Sequence, residues 1–277
     1  MRGSATHPVR LRYAKHGKVR WTSHRDVARA FERAFRVARL PLAFSGGFSP
    51  HPRVSFGLAL PTGAESDAEF LDVDLTEAVD LDALPGVLTA ALPDGIAVTA
   101  AATLEARAPA LMDEVTSCEW HVTVTREGST FTCDELRPVV AAALARDELP
   151  VARVRKGRPT VEDVRGVIER FDVLGDTTEG VLVHLELLTR PRSAKPDDVI
   201  VAVASATGAE GLVVVRAVRT AQWIERDGAR REPLCTVVHP RRATRARDTE
   251  EGIDVPRPDP RDHRTERVGA GAHSDPS

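Results

Sequence analysis

The sequence predicts an α+β fold: two tandem ferredoxin-like (split βαβ) repeats, at 9–103 and 117–222, followed by a disordered C-terminal tail at 226–277. Three observations carry that reading. Apolar and polar residues alternate with the period of a half-buried strand at 9–14, 70–75 and 119–124. Helical spacing separates such strands, and the order strand, helix, strand, strand, helix, strand, with an added strand between, is followed by a second such cycle. Beyond Trp223 and Ile224 the chain turns rich in Arg, Asp, Pro, Gly and Ser, which bury too little to offset the entropy of ordering. The repeat rests on element order, because the halves show no residue-level identity. The alternative is one continuous α+β domain in which the two sheets merge.

In chain order, 9–14 alternates apolar and basic residues as a strand, 16–18 is a turn, and 19–21 continues extended. Ser23 is an N-cap with Asp26 three residues on, and the helix runs over 24–38. Residues 40–44 and 54–60 are strands flanking a glycine–proline loop, with a turn at 61–63. A strand with an acidic outer face follows at 70–75, then a helix at 81–92 with Pro85 in its first turn and a strand at 96–102. The second cycle starts with the strand 119–124 and a helix opening at Cys133 or Asp134 and ending near Ala145. A strand at 151–155 leads into a basic turn at 156–159, and 164–174 pairs with 181–188 as a hairpin. A helix at 196–204, with proline in its first turn, and a strand at 212–218 close the cycle. The tail carries Arg241, Arg242, Arg245 and Arg247, whose mixed-charge setting reads as solubilising.

The 277 residues carry a net charge of −3, which conceals a steep asymmetry. Residues 1–60 hold twelve Lys/Arg against Asp26 and Glu32, whereas 61–114 hold twelve Asp/Glu against Arg107 alone. A basic segment of this kind binds phosphate, RNA or an acidic protein face, unless the two segments pack together and neutralise each other. Cys118, Cys133 and Cys235 are odd in number and widely spaced, which argues against a disulfide framework and against zinc. No CxxxCxxC is present, so this chain does not itself hold a radical-SAM iron–sulfur cluster, and no metal site or cofactor is expected. No stretch approaches the roughly 20 apolar residues of a membrane span. The first residues lack the apolar core of a signal peptide, and the expected location is the cytoplasm.

Two features point to a site. Val27, Phe31, Ala34, Phe35 and Ala38 share one helix face, while Arg25, Arg29, Arg33 and Arg36 fall together on another as an arginine stripe. The stretch Ser45-Gly46-Gly47-Phe48-Ser49-Pro50-His51-Pro52-Arg53-Val54-Ser55-Phe56 sets two glycines beside two φ-restricted prolines. It predicts a stiff loop that holds His51 and Arg53 and offers free backbone N–H groups. Phe48 reads more readily as buried than as a stacking surface. Expected binding residues are Arg25, Arg29, Arg33, Arg36, Ser45, Gly46, Gly47, Phe48, His51, Arg53 and Ser55; His24 and His51 are the catalytic candidates.

The motifs Trp21-Thr22-Ser23-His24-Arg25-Asp26, the glycine–proline stretch, Pro61-Thr62-Gly63-Ala64-Glu65-Ser66 and Glu69-Phe70-Leu71-Asp72-Val73 together resemble the radical-SAM-linked domain-of-unknown-function family, stand-alone actinobacterial type. In that family the first motif usually reads S-H-L-D and the second S-x-G-F-N-P-H-P-K/R-I-S-F. Here Arg25 replaces leucine and Ser49 replaces asparagine. The resemblance spans about 9–222 and is densest at 10–75. It implies a cobalamin-dependent radical-SAM protein or a ribonuclease E/G-type enzyme as partner, and a setting in RNA or ribosome metabolism. By fold analogy alone the arrangement is also similar to CRISPR-repeat endoribonucleases.

Three functional readings follow. The first is a non-catalytic accessory module that binds RNA or another phosphate-rich substrate through the stripe and the loop. The second is a metal-independent ribonuclease using His24 or His51 as general acid or base, with Arg53 stabilising charge. The third is a protein–protein adaptor that docks a basic partner on Glu65, Asp67, Glu69, Asp72, Asp74 and Glu77.

Overall fold

The computed structural model describes residues 6–104, 109–155, 157–234 and 239–240. All of them fall within one compact unit. The chain opens with β1 (His7–Lys15), α1 (His24–Val37), β2 (Val54–Phe56), β3 (Glu65–Leu75), α2 (Leu84–Ala91) and β4 (Ile96–Thr103). A short helix α3 (Leu111–Glu114) leads to β5 (Ser117–Arg126), α4 (Cys133–Leu144), β6 (Pro150–Arg155) and β7 (Arg158–Asp163). Then come β8 (Ile168–Thr177), β9 (Gly180–Leu188), α5 (Pro196–Thr207), β10 (Leu212–Arg226), β11 (Ala229–Arg231) and β12 (His239–Pro240).

These elements make a mixed α+β architecture around one large, mostly antiparallel sheet. Its ten strands follow the order β4-β1-β3-β10-β5-β9-β8, with β2 beside β3, β11 beside β10 and β12 beside β11. The hairpin β6-β7 forms a separate two-stranded sheet. A single parallel pairing among the described strands, β3 with β10, joins the first half to the second. The sheet is therefore continuous across both halves.

Each half has its own apolar core. Val9, Leu11 and Tyr13 of β1 and Leu71, Val73 and Leu75 of β3 pack on Phe31 and Phe35 of α1 and Leu88 of α2. Trp120, Val122 and Val124 of β5 pack with β9 on Leu136 and Val140 of α4 and Val199 and Val203 of α5. Between the cores the Arg219 guanidinium bonds Glu69 at 3.0 and 3.2 Å and stacks over Trp120 at 4.8 Å. Glu69 lies opposite Tyr13 in the β1–β3 register, and Trp120 belongs to the second core. Glu69, Arg219 and Trp120 therefore share the sheet face on which both cores pack.

The opposite charges of the first two segments meet. Arg10 of β1 grips Asp72 of β3 at 2.7 and 2.9 Å, Arg53 reaches Asp74 at 3.0 Å, and His16 bonds Asp67 at 2.8 Å. Glu65 and Glu69 are buried, so they do not belong to an exposed acidic face.

Several local expectations are corrected. Residues 17–21 form a tight 3-10 turn rather than extended chain, because the Thr22 amide and hydroxyl both donate to the Val19 carbonyl, at 3.0 and 2.7 Å. The strand expected at 40–44 is reduced to isolated pairings of Leu42 with Leu75 and of Phe44 with Pro52. The strand expected at 54–60 stops at Phe56. The basic turn at 156–159 is narrower than expected, since β7 begins at Arg158. The expected tail at 226–277 is corrected over its described residues, 226–234 and 239–240. β10 runs to Arg226, and Asp227 and Gly228, with φ of 55° and 74°, turn the chain into β11. Arg241, Arg242, Arg245 and Arg247 lie outside the described residues.

Candidate nucleic-acid interface

Local chemistry fixes α1. The Ser23 hydroxyl accepts from the Asp26 amide at 3.2 Å and donates to the Asp26 carboxylate at 2.7 Å, closing the helix N-terminus. That hydroxyl, and then Arg29, holds the Asp26 carboxyl below its ordinary pKa. Val27, Ala30, Phe31, Ala34 and Phe35 are buried, so the arginine stripe on the opposite face is left in solvent. Arg29 makes an ion pair with Asp26 at 3.4 Å. Arg25, Arg33 and Arg36 have no ion-pair partner among the described residues. Arg29, Arg33 and Arg36 border a groove of about 500 Å³, whose other wall includes Val19, Pro93 and Ile96. Asp26 and Glu32 lie in the same groove and moderate its charge.

The basic segment thus divides by element. Arg10, Arg20 and Arg53 face acids of β3, whereas the arginines of α1 keep their charge toward solvent.

The glycine–proline stretch forms a small projecting hairpin. Phe44 pairs with Pro52, the Ser45 amide donates to the His51 carbonyl at 2.8 Å, and the His51 amide donates to the Ser45 hydroxyl at 3.0 Å. Gly47 sits at φ 111°, which a side chain would strain. Residues 44–51, Gly46 and His51 among them, are all exposed, and Ser55 is exposed on β2. Phe48 is a correction: its side chain is fully exposed (110%) and projects from the tip. The loop is tied across its neck, which leaves Phe48 no core to enter. Arg53 lies at the base, its backbone bonded to Ala43 and Asp74.

α1 meets β2, the strand that follows the hairpin, through aromatic rings. His24 packs edge-on against Phe56 at 5.3 Å, and Phe56 packs against Phe31 at 5.9 Å. The groove lies along the Pro93 and Ile96 side of α1, and none of the hairpin residues lines it. The structure therefore gathers Arg29, Arg33 and Arg36 at the groove, and sets His24 against Phe56 of β2, neither of which lines it. Trp21, 64% exposed with Arg20 at 5.2 Å from its ring, is an aromatic surface that the sequence reading passed over. Its signal was the Arg-Trp pair just before the helix cap.

No curated protein sequence matches this chain significantly. Among solved structures it is similar to a chain of a Cbf5-Nop10-Gar1 complex, with TM-score 0.41 and 11% identity, covering 77% of this chain and 48% of that one. It is similar also to a chain of an H/ACA RNP bound to a substrate RNA containing 2'-deoxyuridine, with TM-score 0.39 and 11% identity, covering 76% and 47%. The chain thus spans about half the length of either. An unknown protein from Galdieria sulphuraria matches with TM-score 0.23 and 11% identity, over 76% of this chain and 96% of that one. The sequence profile of uncharacterised proteins conserved in bacteria, DUF2344, matches residues 9–196, and the chain belongs to that family.

Proposed function

We propose that the protein is a non-catalytic accessory module that binds single-stranded RNA across α1. One observation carries this reading: Arg25, Arg33 and Arg36 are exposed on one helix face without ion-pair partners among the described residues, and Arg33 and Arg36 border a groove. Phosphate contacts supply most of the sequence-independent affinity for nucleic acid, and exposed aromatics add stacking. A strand leaving the groove would cross α1, about 10–12 Å wide, toward His24 and β2, the strand that continues from the hairpin carrying Phe48. Such a path uses both features of the site.

The strand orders support the tandem split-βαβ reading of the scaffold. The first half runs β4-β1-β3 with β2 at its edge, and the second runs β10-β5-β9-β8. Each half therefore repeats one spatial order of its own four strands. The motif resemblance supports a module that serves a cobalamin-dependent radical-SAM protein or a ribonuclease E/G-type enzyme, in the cytoplasm.

The test is fluorescence anisotropy with a labelled single-stranded RNA over a salt series. Each phosphate contact contributes roughly 0.7 to the slope of log K against log salt for single strands. Arg33→Glu/Arg36→Glu is expected to weaken binding and flatten that slope by about 1.4. Binding that ignores salt, or is unchanged in the variant, would overturn the proposal.

A further inference from the structure

The sheet face opposite the two cores carries a second cluster that the α1 surface does not use. Trp120, Val122 and Val124 point into the second core, so the alternating His121 and Thr123 lie on the opposite face. Across the seam, His121 is opposite Val218 of β10, and Val218 is opposite Glu65 of β3. Next to that row the β1–β3 register shifts between Tyr13 and Lys15, an irregularity of the kind that re-aims side chains. Asp67 lies at this shift and bonds His16 at 2.8 Å.

A cleft of about 270 Å³ results, with His16 and Asp67 on one wall and His121, Thr123, Arg216 and Thr220 on the other. Arg216 is fixed from behind. Its Nε and Nη2 both lie 2.7 Å from Glu65 Oε2, yet the side chain stays half exposed (49%). A guanidinium has five N–H donors, so this grip leaves donors free. His121 is steadied by the His184 ring, with centroids 5.9 Å apart.

We infer that this seam cleft binds a phosphate group. The His121 imidazole, the Arg216 guanidinium and the Thr123 and Thr220 hydroxyls line it as donors, while the His16 Nε2 is engaged by the Asp67 carboxylate that the cleft also contains. A phosphate offers three or four acceptor oxygens and matches such a set better than a carboxylate does. The cleft is smaller than the roughly 300–1,000 Å³ of sites for drug-sized ligands, which suits one phosphate-bearing group. Both halves contribute, so the site exists only where β3 and β10 are joined. It lies on the sheet face opposite α1 and goes beyond the RNA surface proposed there.

The full chain with labelled histidines would be titrated with inorganic phosphate, a nucleoside 5′-monophosphate and a dinucleoside phosphodiester, following the imidazole resonances by NMR. Saturable shifts at His16 and His121, with His24 and His51 unmoved, are expected. His121→Asn and Thr220→Val, which leave the Glu65–Arg216 grip intact, are each expected to weaken phosphate by about tenfold or more. Response to the monophosphate alone identifies a terminal phosphate as the ligand; response to the diester as well extends it to an internal RNA phosphate. Shifts that fail to saturate by roughly 50 mM, or that persist in both variants, overturn the site. Arg33→Glu/Arg36→Glu is expected to keep the shifts, which separates this test from that of the α1 surface.

Discussion

Glu65 shows how one buried carboxylate holds three segments together. It accepts the Gly17 amide at 2.8 Å, takes both 2.7 Å contacts from Arg216, and lies 3.8 Å from Arg20. Burial alone raises a carboxyl's pKa, but the Gly17 and Arg216 bonds outweigh it and leave Glu65 below its ordinary value. A depressed folded pKa contributes stability above the unfolded value, about 4.3, and loses it as pH falls toward the folded value. Urea denaturation between pH 7 and pH 3 is therefore expected to show a steeper loss for the wild type than for Glu65→Gln. Parallel curves would remove Glu65 from the acid response. Glu65 also marks the limit of reading residues in sequence. The arginine stripe was legible because helical spacing is local. Glu65, Glu69, Asp72 and Asp74 looked alike as outer-face acids, because their arginine partners depend on register and on contacts up to 151 positions away.

At the scale of elements, the helix α1 was legible almost to the residue, since cap, apolar period and arginine stripe agree on the same boundaries. The hairpin was legible as a stiff loop but not in its direction. Whether Phe48 meets a core depends on what lies above the loop, which no local pattern encodes. The β10–β11 hairpin was legible in principle: Asp227-Gly228 is the dipeptide favoured where both central residues take positive φ. The polar composition around it masked that signal. Because Phe48 projects from a loop closed at its neck, its removal touches no core. Phe48→Ala is expected to change stability by no more than a surface substitution does, about 0.5 kcal/mol. Loss of one base–aromatic stack is expected to weaken single-stranded RNA by roughly 1–3 kcal/mol. Anisotropy and thermal melting on the same preparation check both, and a variant that binds as the wild type does would remove the hairpin from the RNA path.

At the scale of the whole molecule, the joining of the halves was the least legible feature, because β3 and β10 lie far apart in the chain and pair in parallel at only Glu65–Val218 and Ser66–Arg219. The seam is polar rather than apolar. Arg219 bonds Glu69 and the carbonyls of Leu58 and Ala59, Ser66 bonds the Arg219 carbonyl at 3.2 Å, and Gln222 bonds the Ala68 carbonyl at 2.6 Å. Burial pushes the Glu69 carboxyl up against the pull of Arg219, so the arginine is what keeps that charge tolerable. Removing one member of a buried pair strands the other and costs about 3–5 kcal/mol, whereas replacing both with packed apolar residues costs far less. Arg219→Ala is therefore expected to destabilise the chain by that amount, and Arg219→Met/Glu69→Leu to recover much of it. Since each half retains its own core, the single variant is also expected to split unfolding into two steps. Tryptophan fluorescence, dominated in the second half by Trp120 and Trp223, would then separate from far-UV circular dichroism, which reports both halves. Coincident transitions in Arg219→Ala, with a loss under about 1 kcal/mol, would mean that the two backbone pairings and the remaining polar bonds hold the seam without the charge pair.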